Sequence, residues 1–143
     1  MKVLGPACSE GVLKMSNIEA VVFDAYGTLF DVHSATMRHA ARLGDVATSF
    51  SADWRAKQLE YSWVRSLTGP THHQDFWTCT RDALAFAAAR HGVTDRTLLA
   101  ALLDAYRTLD AYSEVPAMLR ALRQRGLAPV HPEIGTKATF SGL

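Results

Sequence analysis

Only two of the 143 residues are cysteine, Cys8 and Cys79. That is too few for a disulfide framework, so free thiols in a reducing cytoplasm are the expectation. An excess of one charge is also lacking: 15 Lys and Arg stand against 14 Asp and Glu, a formal +1. This balance gives no electrostatic reason to expect nucleic acid or an anionic membrane as a partner. No apolar run approaches the ~18–20 residues of a membrane span. Residues 1–14 hold no apolar block of the signal-peptide kind. What remains is ordinary globular composition, 48% hydrophobic and 20% charged. It excludes disorder throughout and suits one domain, or one small domain with an insertion.

Residues 1–16 read as a loose leader, and Met15-Ser16-Asn17 ahead of an apolar stretch looks like a natural start. Ile18 to Phe23 reads as a short strand buried on both faces, because Ala20-Val21-Val22-Phe23 is continuously apolar rather than alternating. It ends at Asp24, and Gly27 supplies the backbone freedom for the turn that follows. Helical spacing predicts four helices between Ser34 and Leu109. The first covers about 34–43 and stops at Gly44. The second takes Ser51 as its N-cap and runs to Leu67, with Ala56, Leu59, Trp63, Val64 and Leu67 as its apolar stripe. The third covers about 74–91, with Phe76, Thr80, Ala83, Leu84 and Ala87 on one side. The fourth starts near Thr94 or Asp95 and turns Leu98, Leu102, Ala105, Tyr106 and Leu109 inward. A fifth helix, about 114–125, is capped by Ser113, carries Pro116 in its first turn and ends at Gly126. Strand, helical block and helix open an α/β unit, so a second buried strand should follow. Ala128-Pro129-Val130-His131-Pro132-Glu133-Ile134, with two prolines and a charge, is poor material for one.

The chemistry-bearing segment is Val21-Val22-Phe23-Asp24-Ala25-Tyr26-Gly27-Thr28-Leu29-Phe30-Asp31. An aspartate at the C-terminal tip of a buried strand sits where open α/β sheets place their ligands. Its carboxylate can act as a nucleophile and split a displacement in two through an ester. Backbone N–H groups of the next turn can hold an anionic group. The rival reading is that Asp24 merely caps the turn.

Phe23-Asp24-Ala25-Tyr26-Gly27-Thr28-Leu29 resembles motif I of the haloacid dehalogenase superfamily, Asp-x-x-x-Thr-Leu. The phosphatase branch carries a second Asp two residues after the nucleophile, where it helps hold magnesium; Tyr26 stands there instead. The longer run Asp-x-Tyr-Gly-Thr-Leu-Phe-Asp-Val-His-Ser looks like the metal-independent L-2-haloacid dehalogenases. So do Trp54-Arg55-x-Lys57-Gln58-Leu59-Glu60-Tyr61-x-Trp63-x-Arg65-Ser66-Leu67, Asp82-Ala83-Leu84 and Tyr112-Ser113-Glu114-Val115-Pro116. The resemblance covers about residues 17–127. It implies an α/β fold: an incomplete Rossmann-like core from residues 17–33 and 113–143, with residues 34–112 inserted as a helical cap. It implies a small 2-haloacid as partner, no cofactor or metal, a homodimer as a possible assembly, and a cytoplasmic location.

The roles it implies carry over by position. Asp24 matches the nucleophile, which attacks C2 of an (S)-2-haloalkanoate, and water then releases an (R)-2-hydroxy acid from the ester. Thr28 matches the residue that positions it, and Ala25 and Tyr26 match the substrate-contacting turn. Arg55 matches the cap arginine that draws off halide. Leu59 and Phe76 match the apolar pocket. Elementary chemistry agrees, since a leaving halide needs a cation and Arg stays charged in a dry pocket. Each role has a plainer rival. Arg55 could pair with a neighbouring carboxylate. Leu59, Trp63 and Phe76 could be core, and Tyr26 a buried ring with a satisfied hydroxyl. Lys57 and Arg65 read as a solvated face, and His72-His73 lacks further nearby ligands for a metal.

The likeness fades after Gly126-Leu127. The family's apolar strand ending in Ser-Asn-Gly, its catalytic Lys and its Ser-Asn-x-x-x-Asp segment are not found, and Glu133-Ile134-Gly135 stands in register with Ser-Asn-Gly. A chain cut off after the first half of such a protein is expected, with dehalogenase activity impaired. Two alternatives accompany this reading: an inactive remnant serving as a helical interaction or dimerisation module, and a magnesium-dependent phosphatase of the same superfamily.

Overall fold

The computed structural model describes residue 18 and residues 20–130. The expected leader 1–16 and the segment 131–143, with Glu133-Ile134-Gly135, lie outside the described residues. Strand β1 is Ala20–Val22 and strand β2 is Ala128–Val130; they pair in parallel, with Val21 opposite Pro129. The proline-bearing segment thus forms the strand that its composition argues against. Among the described residues β2 has a single neighbour, β1. Nor is β1 covered on both faces: Val22 is 66% exposed.

Between the strands lie helices α1 (Ser34–Met37), α2 (Ala40–Leu43), α3 (Ala47–Leu67), α4 (Phe76–His91), α5 (Arg96–Tyr106) and α6 (Val115–Gln124). The expected first helix is broken between Met37 and Ala40, and a short 3₁₀ turn at Gly44–Val46 leads into α3. Helix α3 therefore starts before Ser51. Ser51 is buried inside it, and its hydroxyl meets His33 Nδ1 at 2.8 Å instead of capping. Helices α4 and α5 are capped by aspartates: Asp75 accepts from the Thr78 amide, and Asp95 from the amides of Thr97 and Leu98. Gly92 ends α4 in the left-handed conformation, φ +66°. Helix α6 begins after Glu114, and Ser113 donates to the Glu114 carboxylate rather than capping.

The largest correction concerns α3. The stripe Ala56, Leu59, Trp63, Val64 and Leu67 faces outward, with Trp63 71% and Leu67 86% exposed. The buried face is Ala47, Phe50, Ser51, Trp54 and Gln58. Two polar residues sit in that face with hydrogen-bond partners, so a reading by hydrophobicity alone points to the wrong side of the helix.

Two apolar clusters result. The larger is built by α1–α5 around Phe50, Trp54, Leu84, Leu98, Leu102 and Tyr106. The smaller joins Leu29 to Val115 and Leu119 of α6, with Phe23 and Phe30 against it. The turn after β1 spans both: Tyr26 packs on the larger cluster, Phe23 and Leu29 on the smaller. Leu29–Asp31 also runs antiparallel to Asp110–Tyr112, through Asp31 N to Asp110 O (2.8 Å) and Tyr112 N to Leu29 O (3.1 Å). The chain therefore enters and leaves the helical block side by side.

Candidate active site

Asp24 lies two residues past the end of β1 and is exposed. The turn after it closes on itself. The amides of Thr28, Leu29 and Phe30 all point to the Ala25 carbonyl, and Gly27 N donates to Phe30 O at 2.8 Å. These four amides are spent within the turn, so they do not form the anion cradle expected of them. Gly27 has φ +89°, a conformation L side chains rarely adopt, while the position its Cβ would take is 3.9 Å from Arg55 Nη2. Backbone conformation, not space, calls for glycine there. Thr28 Oγ1 donates to Asp24 Oδ2 at 3.1 Å, which orients one carboxylate oxygen and leaves the carboxylate accessible.

Arg55 comes from α3, half-buried. Its Nη2 donates to the Tyr26 carbonyl at 3.0 Å, and its Nη1 to Gln58 Oε1 at 2.8 Å. The guanidinium is thus fastened to the backbone two residues beyond Asp24. The Tyr26 ring lies 5.0 Å from Phe76 and stacks on Tyr106 at 6.0 Å; Tyr106 in turn lies 5.1 Å from Trp54. Asp24, Ala25, Tyr26, Thr28, Arg55 and Phe76 are therefore gathered around one turn. Leu59 sits on α3 beside Gln58, is 36% exposed, and belongs to neither apolar cluster.

Among the described residues some arginines have an ion pair and others, Arg55 among them with Arg81, Arg96, Arg107, Arg120, Arg123 and Arg125, have none. Arg38, Arg42, Arg65 and Arg90 pair with Asp110, Asp95, Asp82 and Asp53. Arg55 forms no ion pair among the described residues; the Gln58 and Tyr26 oxygens that accept from it are neutral. The plainer reading, in which it serves a neighbouring carboxylate, is not what the structure has. A guanidinium held by neutral acceptors keeps its full charge for an anion. Arg65 is no mere solvated cation either: its bond to Asp82 raises its pKa above the ordinary arginine value, and it reaches Cys79 Sγ.

Three polar residues stand behind the site; the sequence turns Thr80 and Tyr106 inward but gives no sign of their link to Gln58. Gln58 is fully buried; its Oε1 accepts from Arg55 and, at 2.9 Å, from the Tyr106 hydroxyl, and its Nε2 donates to Thr80 Oγ1 at 2.6 Å. Thr80 donates onward to the Phe76 carbonyl at 2.8 Å. Burial pushes the Tyr106 phenol up to about 12, opposed by its bond to Gln58. The available signal was Gln58 itself, one helical turn beyond Trp54 on the same side of α3, where a buried amide demands partners.

No family model matches the chain. It is 49% identical over 113 residues to (S)-2-haloacid dehalogenase 1 of Pseudomonas sp. (strain CBS-3), a match covering 78% of this chain and 49% of that protein. A solved dehalogenase superposes with a TM-score of 0.74 at 43% identity, covering 81% of this chain and 52% of that one. The L-2-haloacid dehalogenase from Xanthobacter autotrophicus with chloropropionic acid covalently bound gives 0.69 at 38% identity, over 80% and 46%. The chain spans about half the length of the relatives it matches. Over about four-fifths of its own length, this chain is a homologue of the (S)-2-haloacid dehalogenases.

Proposed function

We propose that this chain carries the nucleophile and the halide-binding cation of an (S)-2-haloacid dehalogenase. The observation that carries the reading is an arginine with uncompensated charge, fastened to the turn that holds a strand-tip aspartate. An Asp24 oxygen attacks C2 of the haloacid, the carbon–halogen bond breaks, and the halide leaves with its electron pair toward Arg55. Water then adds to the carbonyl of the aspartyl ester, restoring the Asp24 carboxylate and releasing the (R)-2-hydroxy acid with a proton. Thr28 positions the nucleophile, Ala25 and Tyr26 line the substrate turn, and Leu59 and Phe76 supply apolar surface for the alkyl part. Covalently bound chloropropionic acid in the Xanthobacter relative supports an ester step of this kind.

In this reading residues 17–33 and 113–143 belong to a Rossmann-like core and residues 34–112 form its helical cap. The crossing of Leu29–Asp31 by Asp110–Tyr112 supports that division. The setting is cytoplasmic. The magnesium-dependent phosphatase and the inert helical module are set aside, because the relatives are dehalogenases by name and Tyr26 replaces the second aspartate. A homodimer accompanies the reading, supported by the exposed Trp63, Val64 and Leu67; sedimentation of a plain monomer at all concentrations would remove it.

The 143 residues lack the Ser-Asn-Gly, Lys and Ser-Asn-x-x-x-Asp segments that complete the family's site, so the chain assayed alone should turn over poorly. The test is therefore the first step. Incubation with (S)-2-chloropropionate should give chloride and a 1-carboxyethyl ester on the peptide holding Asp24, read by mass spectrometry, and Asp24→Asn should give neither. Ester on another residue, or equal chloride release by the variant, overturns the assignment.

A further inference from the structure

We propose that Gln58 is the positioning residue for Arg55, and that the neutrality of its side chain keeps the halide site cationic. The inference rests on the reading of Arg55 given above and extends it to a residue that touches neither substrate nor halide.

Gln58 stands three residues beyond Arg55 on α3, the spacing at which helix side chains are neighbours. It is fully buried, at 0% exposure, between α4 and α5. Its side chain bonds to three other side chains: Arg55 and Tyr106 on the oxygen, Thr80 on the nitrogen. A core that needed only volume there would do better with an apolar residue, because a buried amide costs free energy unless fully bonded. A carboxylate of the same shape could accept from both Arg55 and Tyr106, but it would cancel the charge on Arg55. The amide is the side chain of that size that can aim the guanidinium without neutralising it. The second tie, from Nη2 to the Tyr26 carbonyl, is likewise neutral. Two neutral acceptors at different points leave the cation oriented and uncompensated beside the Asp24 turn.

A purely structural role for Gln58 predicts the reverse order of effects. Gln58→Glu keeps two acceptor contacts, whereas Gln58→Leu loses every hydrogen bond. If only the network mattered, the Leu variant would be the worse. If charge and aim matter, the Glu variant is the worse.

The experiment is bromide titration of the full chain, read by bromide NMR line broadening, with circular dichroism as the folding control. Saturable broadening abolished by Arg55→Ala establishes the site. Gln58→Leu should then weaken bromide by about threefold, the loss of one aiming hydrogen bond. Gln58→Glu should weaken it by about tenfold or more, the effect of an opposite charge against the cation. Tyr106→Phe, which leaves Gln58 Oε1 to Arg55, should hold affinity within about twofold, and it decides the matter if both Gln58 variants unfold. No Arg55-dependent site in the unsubstituted chain removes the reading of Arg55 and this inference with it. An Arg55-dependent site with Gln58→Glu binding as tightly as the parent, or tighter than Gln58→Leu, overturns this inference alone. So does a collapse of affinity in Tyr106→Phe.

Discussion

At the scale of single residues, burial decides what a polar group does. Thr36 on α1 is fully buried, and its Oγ1 has no hydrogen-bond partner among the described residues. Thr36→Val keeps the shape and removes the orphaned hydroxyl, so it should stabilise the fold by about 1 kcal/mol; a lowered midpoint in urea unfolding would show that the hydroxyl is bonded. Tyr106 gives a pH signature. Its phenol is pushed up to about 12 by burial, against about 10 in the unfolded chain. The folded state holds that proton more tightly, so the contribution is whole below about pH 10 and is lost as pH rises from about 10 to 12. The amount is about 2–3 kcal/mol. Unfolding titrations of the parent and Tyr106→Phe should diverge across that window, the parent losing stability faster; parallel curves would refute the shift. Asp24, Thr28 and Arg55 stand out in the sequence because they fall in blocks that resemble a known family. Gln58 was not, because a lone polar residue gives no sign of its partners until α4 and α5 are packed around it.

At the scale of elements, local signals located the helices better than their faces. Asp75 and Asp95 are strong N-cap types and cap α4 and α5, and hydrogen bonding holds both carboxyls below the usual carboxylate range. Gly92 and Gly126 end α4 and α6 with positive φ, as expected. Helix α3 went otherwise, because its buried side includes Ser51 and Gln58 and its exposed side carries Trp63 and Leu67. Two substitutions measure the difference. Phe50→Ala, at a fully buried position, should cost about 3–5 kcal/mol. Trp63→Ala, at a position 71% exposed, should change the stability of the monomer by no more than about 0.5 kcal/mol. Chemical denaturation at low protein concentration checks both, and a larger loss at Trp63 would reverse the assignment of faces.

At the scale of the whole molecule, two apolar clusters of unequal size meet at one turn. The larger holds α3, α4 and α5 together; the smaller rests on Leu29, Val115 and Leu119, with β1 and β2 paired beside it. Unequal burial implies unequal resistance to opening. Hydrogen exchange should therefore be slowest in α3–α5 and faster in α6, with the Leu29→Ala variant widening the gap; uniform protection across α3 to α6 would count against two clusters. The strand pair shows why the sheet was hard to read. Pro129 is a poor strand residue by composition, yet its segment pairs in parallel with β1, Val21 standing opposite it.

By itself the sequence determined the local grammar of this protein: the strand-tip Asp24, the turn at Gly27, the glycines that end α4 and α6, and the residues that mark its kinship. These depend on a few neighbouring positions, and backbone sterics and hydrogen bonding act over that range. Only the tertiary structure decided which side of α3 is buried, what fastens Arg55 to the Asp24 turn and what stands behind it. Those outcomes depend on partners from α4, α5 and the Asp24 turn, distant in the chain, and polar burial is favourable only once such partners are in place.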